Sequence, residues 1–458
     1  MKLYNSRTRK IEELKSLVPG EIKMYSCGPT VYDHVHIGNI RAFIFADLLR
    51  KSLEFSNYKV TQVMNITDFG HLKGDSDDGE DKMSLGLKRE NLPRTIDGMK
   101  NLADKYTQIF FEDIKKVNIK PADNYPRAIE YIDEYIKIIS GLEAKGFTYK
   151  ISDGIYFDTS KDSNYGYMSL LDKHDPGQSR IGEKSEKKNQ ADFCLWKFSD
   201  TNLSVIGFPS PWGVGFPGWH IECSGMVLKF LGEQIDIHTG GVDHINVHHT
   251  NEIAQSENFT GKTYSTFFCH NEFLNVDNEK MAKSANNFYT LQSIVDHGID
   301  PLAFRYLTLQ SHYRQKMNFS FDNLNASETA LHKLKRLTST LNIDDPIQEM
   351  YDFDYVNKFK TELEDDLNTP QALATLWTLV KDENISPEVK YLTIKEMDKV
   401  LSLDLFTPPA DNKEEKPITE DIQVLINQRD EHRRQKNFAE ADRIRAELKQ
   451  LGYDIADK

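Results

Sequence analysis

The sequence predicts an α/β protein built on a doubly wound parallel sheet, interrupted by an inserted domain and continued by an all-α C-terminal region. Three observations carry this expectation. A strand–helix–strand unit with a glycine-bearing connection fills the first hundred residues, and a second α/β block returns after residue 218. Beyond residue 300 strand signals become scarce and helical periodicity takes over.

Taken in order, residues 21–27 (EIKMYSC) alternate as a strand and stop at Gly28-Pro29. From Ile40 to Phe55 the apolar residues Ile40, Phe43, Ile44, Leu48 and Leu49 share a helical face that Asp47 interrupts. Residues 58–67 (YKVTQVMNIT), rich in β-branched side chains, form the next strand. The acidic stretch 74–82 has its glycine at the fifth position instead of the sixth of a calcium loop, so it reads as a solvated loop. Residues 95–200 are helical, then mixed, then Lys-rich at 184–188, and separate the two α/β halves. In the second block, residues 234–239 (QIDIHT) alternate as a strand, Gly240-Gly241 turns, and a helix begins near Asn246. The prolines and charges at 405–418 suit a linker, and 419–450 is helical.

With 458 residues, two to four domains are expected. No uncharged apolar run reaches the length of a bilayer span and the N-terminus lacks a signal-peptide core, so the cytosol is the expected compartment, with no membrane partner. Cys27, Cys194, Cys223 and Cys269 lie too far apart to suggest a disulfide framework, and Cys194 and Cys269 read as small buried hydrophobes. A net charge of −14 implies that any nucleic acid is gripped by a local surface, not by bulk attraction.

Three constellations carry chemistry. Gly28-Pro29-Thr30 and His36-Ile37-Gly38-Asn39 precede a helix whose free amides and positive dipole end suit phosphate, while Gly38 lets a base or ribose lie on the backbone. Lys280-Met281-Ala282-Lys283-Ser284 sets two lysines three apart; such a pair alone is usually solvent-exposed, but in a loop it can track a polyphosphate that moves during reaction. Cys27, Cys223, His248 and Glu252 offer two thiolates, an imidazole and a carboxylate, a reasonable zinc set, with His248 and Glu252 on one helical face. Spacing alone does not establish this set, and His249 or His244 serves equally by chemistry.

The turn at 36–39 and the loop at 280–284 together resemble the HIGH and KMSKS signatures of the class I aminoacyl-tRNA synthetases. MYSCGPTVYD at 24–33, ADFCLWKF at 191–198, FPGWHIECS at 216–224, the HTGG stretch at 238–241, HHTNEIAQSE at 248–257 and KNFAEADRIRAEL at 436–448 are similar to the cysteinyl-tRNA synthetases, over nearly the whole chain. That resemblance implies a Rossmann-like catalytic domain in two halves, 1–94 and 206–300, around an inserted region, 95–205. It also implies a stem-contact helical region at 301–345, a helical bundle at 346–408 and an anticodon-binding region at 409–458. The implied reaction joins L-cysteine to ATP as cysteinyl-adenylate, with release of pyrophosphate, and then acylates the 3′ end of tRNA(Cys). Zn2+ held by Cys27, Cys223, His248 and Glu252 would bind the substrate thiol, Glu252 being the looser ligand. Zinc prefers a thiolate to the hydroxyl of near-isosteric serine, which shape alone rejects weakly.

By the same resemblance Gly28, Thr30, His36, Gly38, Asn39, Asp243, Lys280 and Lys283 surround ATP and its Mg2+. Of these His36, Lys280 and Lys283 serve catalysis by positioning and charge stabilisation, while Trp219 and Thr67 contact the amino acid. The sequence departs from the family pattern at Asn39 (usually His), at Ala282 (usually Ser) and along Thr67-Asp68-Phe69-Gly70-His71, where an Asp-rich run is usual; His71 receives no role. Arg429, Arg433, Arg434, Lys436, Arg443, Arg445 and Lys449 read either as a salt-bridged solvated helix pair or as an RNA-facing surface. A monomer is expected. Two other readings are a cysteine–sugar amine ligase of mycothiol synthesis, whose family lacks the C-terminal tail present here, and a non-catalytic tRNA-binding paralogue, which retention of the lysines and zinc-type residues disfavours.

Overall fold

The computed structural model describes residues 1–69, 82–169, 186–199, 207–281, 287–341, 350–409, 419–435, 437–451 and 453. The acidic loop at 74–81, His71, Ala282, Lys283 and Lys436 lie outside them, as do the side chains of Lys280 and Lys449. The chain divides into two compact units, Met1–Thr407 and Pro408–Lys458.

A short antiparallel hairpin, β1 (Lys2–Asn5) and β2 (Lys10–Glu13), opens the chain. Strand β3 (Glu21–Ser26), helix α1 (Ile37–Phe55) and strand β4 (Lys59–Met64) form the first βαβ unit. α1 starts three residues before the apolar pattern predicts. His36 and Asn39 explain this as a reciprocal capping box: His36 Nδ1 accepts from the Asn39 amide and Asn39 Oδ1 accepts from the His36 amide, both at 3.2 Å.

Between the two halves come α2 (Lys82–Arg89), α3 (Ile96–Lys116), α4 (Ile132–Ala144) and an antiparallel sheet with strand order β5-β6-β7-β8 (Thr148–Ile151, Gly154–Phe157, Phe193–Phe198, Gly215–Pro217). The second half follows as α5 (Trp219–Phe230), β9 (Ile235–Gly241), α6 (His248–Thr260) and β10 (Ser265–Asn271). β10, β9, β3 and β4 lie side by side in that order, all parallel. Chain order reverses between β3 and β9, and in open α/β sheets such a reversal opens a crevice at the carboxyl ends of the strands.

β11 (Leu274–Val276) and β12 (Glu279–Lys280) form a hairpin across Asp277 and Asn278, both at positive φ (49° and 67°), the pairing that a two-residue turn requires. Then come α7 (Leu291–Asp296), α8 (Pro301–Leu309), β13 (Met317–Phe319), which pairs parallel with β11, and α9 (Phe321–Ser339). Helices α10 (Phe353–Glu364), α11 (Thr369–Lys381) and α12 (Pro387–Leu401) pack on α8 and α9 through Leu331, Leu334, Phe359, Leu376 and Met397. In the second unit, α13 (Glu420–Arg434) and α14 (Phe438–Gln450) close on Ile422, Ile444 and Leu448. Among the described residues no helix is long and apolar enough to cross a membrane.

Asp47, the residue that breaks the apolar face of α1, is a buried anchor. Its Oδ2 accepts a hydrogen bond from Arg305 Nη2 at 2.7 Å with both side chains fully enclosed, and another from Lys51 Nζ at 2.8 Å. The rest of the Arg305 guanidinium donates to the Leu401 carbonyl (2.6 Å) and the Val117 carbonyl (2.9 Å). One ion pair thus joins α1, α8 and the ends of α3 and α12. Because a buried charge stripped of its partner keeps its desolvation penalty, Arg305→Met should destabilise the protein by about 3–5 kcal/mol in chemical denaturation. The Asp47→Leu/Arg305→Met double variant should lose less than the sum of the two single variants.

Candidate active site and metal centre

The crevice at the sheet reversal is a cavity of about 450 Å³ lined by Cys27, Gly28, Thr30, His36, Gly38, Asn39, Thr67, Trp219, Cys223, Asp243 and His248. Every sequence-selected residue of the first half whose side chain is described lines it, as do those of the second half except Glu252, which is fully buried. Sheet register is what gathers them. Tyr25 pairs with His238 and Ser26 with Thr239, and the Cys27 amide donates to the Thr239 carbonyl at 3.2 Å. Cys27 therefore leaves β3 beside Gly240 and Gly241 as they leave β9.

Gly28 serves packing here. A Cβ at this position would lie 1.8 Å from the Asn65 carbonyl oxygen, while the Gly28 amide donates to Asn65 Oδ1 at 2.8 Å. Thr30 pairs with Thr67 across a parallel bridge, and Thr67 Oγ1 accepts from Asn65 and donates to Glu222. The capping box also qualifies the reading of α1 as a row of free amides, because the Asn39 amide is already spoken for by His36. Asn39 spends its carbonyl oxygen on the cap and keeps its NH2 end for donation elsewhere, which accounts physically for an amide where histidine is usual.

The two signatures meet. The Ile37 amide donates to the Tyr289 carbonyl at 2.9 Å, His36 bridges to Thr290, and the His36 ring meets Phe288 edge-on at 5.4 Å. Met281 lines the same cavity, with its methyl 4.0 Å from where a Gly38 Cβ would stand.

Arg41, the fifth residue of α1, is buried and donates to the carbonyls of Glu272, Phe273 and Gln315 at 2.6–2.7 Å. Burial pulls its guanidinium down to about 10, which leaves it cationic at neutral pH.

At the floor of the cavity, ligand atoms of Cys27, Cys223, His248 and Glu252 all lie within 4.8 Å of one another. α5 carries Cys223 and α6 carries His248 and Glu252. β7 docks on Gly218, whose amide donates to Leu195 and whose Cβ would strike the Cys194 carbonyl at 2.0 Å. That close approach explains the ADFCLWKF motif as the platform that seats Trp219 and Cys223. Trp219 covers the His248 ring at 4.3 Å. A second group, Cys27, His238, His249 and Glu252, meets the same distance criterion, but His238 and His249 do not line the cavity.

Electrostatics inside the set are strongly coupled. Contact with Cys27 brings the Cys223 thiol down to about 6, with help from His248 against the cost of burial. Burial and the hydrogen bond to Cys223 push the Cys27 thiol up. Burial opposes charge on His248, yet Glu252 and Cys223 lift its imidazole to about 10. Glu252 is held well below the usual carboxylate range by His238 and His248, against burial.

Sequence reasoning weighed His244 and His249 only as alternative ligands and missed His220, His238 and His270, which complete a wall of imidazoles around this set. His220 Nδ1 lies 2.9 Å from His248 Nδ1, and a chain runs from Cys27 Sγ through His249 (3.3 Å) and His270 (2.8 Å) to Ser6 Oγ (2.8 Å). His244 lines the cavity and is brought down to about 4 by burial and His248. The signal was available as an unusual density of histidine within one short stretch, at 238, 244, 248, 249 and 270. Cys194 and Cys269 are buried away from the set, as small hydrophobes.

Residues 13–329 match the family model described as tRNA synthetases class I (C) catalytic domain, and residues 358–403 match the DALR domain. Along 99% of its length the chain is 41% identical to cysteine–tRNA ligase 1 of Burkholderia lata, covering 94% of that protein. It is 39% identical to the cysteine–tRNA ligase of Borrelia hermsii, covering all of this chain and 98% of that one. The chain belongs to the cysteine–tRNA ligase family.

Methionyl-tRNA synthetase of Mycobacterium tuberculosis, solved with methionyl-adenylate, shares the fold at a TM-score of 0.56 and 13% identity, over 84% of this chain and 90% of that one. By the catalytic-domain match the chain is a class I aminoacyl-tRNA synthetase, and His36, Gly38, Asn39 and Met281 all line its crevice at the sheet reversal.

One buried acid, next in sequence to Thr67, is raised to near neutrality. Burial raises the Asp68 carboxyl to about 7, against the Ile129 amide and Arg127. The folded protein then holds a proton that the unfolded chain releases near pH 4, so this group costs stability as pH rises from about 4 to 7, at up to about 1.4 kcal/mol per unit. Urea denaturation of wild type and Asp68→Asn should show the variant gaining relative to wild type between pH 5 and pH 8.

Proposed function

We propose that the crevice activates L-cysteine with ATP, and that the adenylate then acylates the 3′-terminal ribose of tRNA(Cys). The observation that supports this most directly is the junction of two sites in one cavity, the His36–Asn39 turn above and the Cys27, Cys223, His248 and Glu252 cluster below. In the first step a cysteine carboxylate oxygen attacks the α-phosphorus of ATP and pyrophosphate leaves. In the second the ribose hydroxyl attacks the acyl carbon and AMP leaves. Neither step demands a strong base, so the chain contributes mainly placement and charge.

The cluster fits zinc on its own chemistry. It offers two sulfurs, one imidazole nitrogen and a carboxylate oxygen, a donor set suited to a borderline-soft ion. Glu252 Oε1 is buried and meets His248 Nε2 at 3.0 Å, so two of the proposed ligand atoms already face each other across the cluster. When bound, zinc supplies a Lewis-acid site that favours a thiolate over the hydroxyl of serine. Cys27, Cys223, His248 and Glu252 would hold it; Trp219 and Thr67 enclose the amino acid. The first cluster is preferred to the one containing His238 and His249 because three of its four members open onto the cavity.

His36, the Asn39 NH2 group, Lys280 and Lys283 meet the triphosphate with its Mg2+, while Gly28, Thr30, Gly38 and Asp243 shape the nucleotide pocket. Residues 301–345 would meet the acceptor stem, 346–408 form the intervening bundle, and α13–α14 read the anticodon. In that pair Arg429 is buried and Arg443 is held by Glu440 and Glu447 at 2.7 and 3.3 Å.

Pyrophosphate exchange with cysteine, serine and methionine, run beside zinc analysis, tests this reading. Cys223→Ser and His248→Ala should lose both the bound metal and cysteine-dependent exchange; full exchange by metal-free protein would sink the zinc assignment. Lys283→Ala should slow adenylate formation by roughly 100-fold or more while leaving cysteine binding near wild type. An unchanged rate would remove the 280–284 loop from the mechanism.

A further inference from the structure

The two oxygens of Glu252 have different surroundings. Oε2 accepts from the Tyr264 hydroxyl at 2.8 Å and pairs with His238 Nε2 at 2.9 Å, with all three side chains buried. Oε1 faces His248 Nε2, another member of the set, at 3.0 Å as an ion pair, and among the described residues has no partner outside the set. The His238 ring is set by its place on β9, edge-on to Tyr25 and stacked on Phe268, and its Nδ1 has no partner. Only Nε2 is therefore in use, and it serves as the donor to Glu252. Tyr264 sits just before β10, packed edge-on to the same imidazole.

We propose that Tyr264 and His238 are positioning residues that hold Glu252 to a single-oxygen ligand and so reserve coordination space for the substrate thiol. This rests on the reading of Cys27, Cys223, His248 and Glu252 as the metal set. A carboxylate with both oxygens free can close on a metal ion in bidentate fashion and fill the place an incoming ligand needs. Two donors on Oε2 oppose that, since hydrogen bonds to a buried charged acceptor are among the stronger ones in a protein. The arrangement has a second effect. While His238 Nε2 is engaged by Glu252 it is withheld from the alternative group of Cys27, His238, His249 and Glu252, so the same contacts that fix the carboxylate also disfavour a metal site closed off from the cavity. Hydrogen-bond partners of metal ligands act in this way generally, orienting the donor atoms they touch.

The test uses the full-length protein loaded with Co2+ in place of zinc, whose visible absorption reports coordination number. Tyr264→Phe keeps the packed ring and removes one donor. It should retain one metal per chain but show weaker d–d bands than wild type before cysteine is added, as expected when a further ligand atom joins. Its dissociation constant for cysteine, read from the sulfur-to-cobalt charge-transfer band, should rise roughly 10- to 100-fold while ATP binding is unchanged. His238→Gln, whose amide can still donate toward Oε2, should stay close to wild type. A Tyr264→Phe protein with wild-type bands and wild-type cysteine affinity overturns the inference alone. Loss of metal from Tyr264→Phe also overturns it, because the phenol would then be needed for holding the ion and not for restricting the carboxylate. Wild-type protein that binds no metal overturns the ligand set and the inference with it.

Discussion

The parallel ladder between β3 and β9 is the constraint on which the rest of the site depends. Its three matched pairs, Met24 with Ile237, Tyr25 with His238 and Ser26 with Thr239, close a loop of more than two hundred residues. Closing so long a loop is entropically costly, and the enclosed faces of Tyr25, His238 and Ile237 help offset it. A slip of one residue would turn every side chain to the opposite face of the sheet. Cys27 would then miss Cys223, and the turn that leads to His36 would start from the wrong side. Nucleotide signature and thiol cluster are neighbours because one strand ends in both.

Concentrating these polar groups in a dry place has an energetic consequence. Glu252, Cys223 and His248 are buried yet favour their charged forms because particular partners offset the cost, His238 and His248 for Glu252, Cys27 and His248 for Cys223, Glu252 and Cys223 for His248. Around them, burial and mutual repulsion keep His244, His249 and His270 on the neutral side. The result is a compact zone of fixed charge, made of a carboxylate, a thiolate and an imidazolium, beside imidazoles that stay neutral. Preorganisation of that kind lets a site stabilise developing charge without rearranging at the moment of reaction.

Much of this was legible in the sequence, and the remainder was hidden for identifiable reasons. Period-two alternation located β3, β4 and β9, and the i,i+4 spacing of His248 and Glu252 placed both on one face of α6. The start of α1 was missed because its first turn is fixed by a side-chain cap and not by apolar periodicity. Asp47 looked like a flaw in an amphipathic helix, since its partner Arg305 lies more than 250 residues away. The antiparallel sheet β5–β8 escaped because its strands are short and 170–185 and 200–206 lie between them. His238 was read as part of a strand, and nothing local announces that its ring reaches Glu252. Long-range pairing is what single-sequence patterns leave out.

Arg41 has a mechanical meaning that its three carbonyl partners make plain. By clamping Glu272, Phe273 and Gln315 to the first turns of α1, it roots the β11–β12 hairpin on the same helix that His36 and Asn39 cap. The base of that hairpin is thereby cantilevered from one buried cation. Because the same guanidinium also ties in the Gln315 carbonyl just before β13, strand and helix must shift together or not at all.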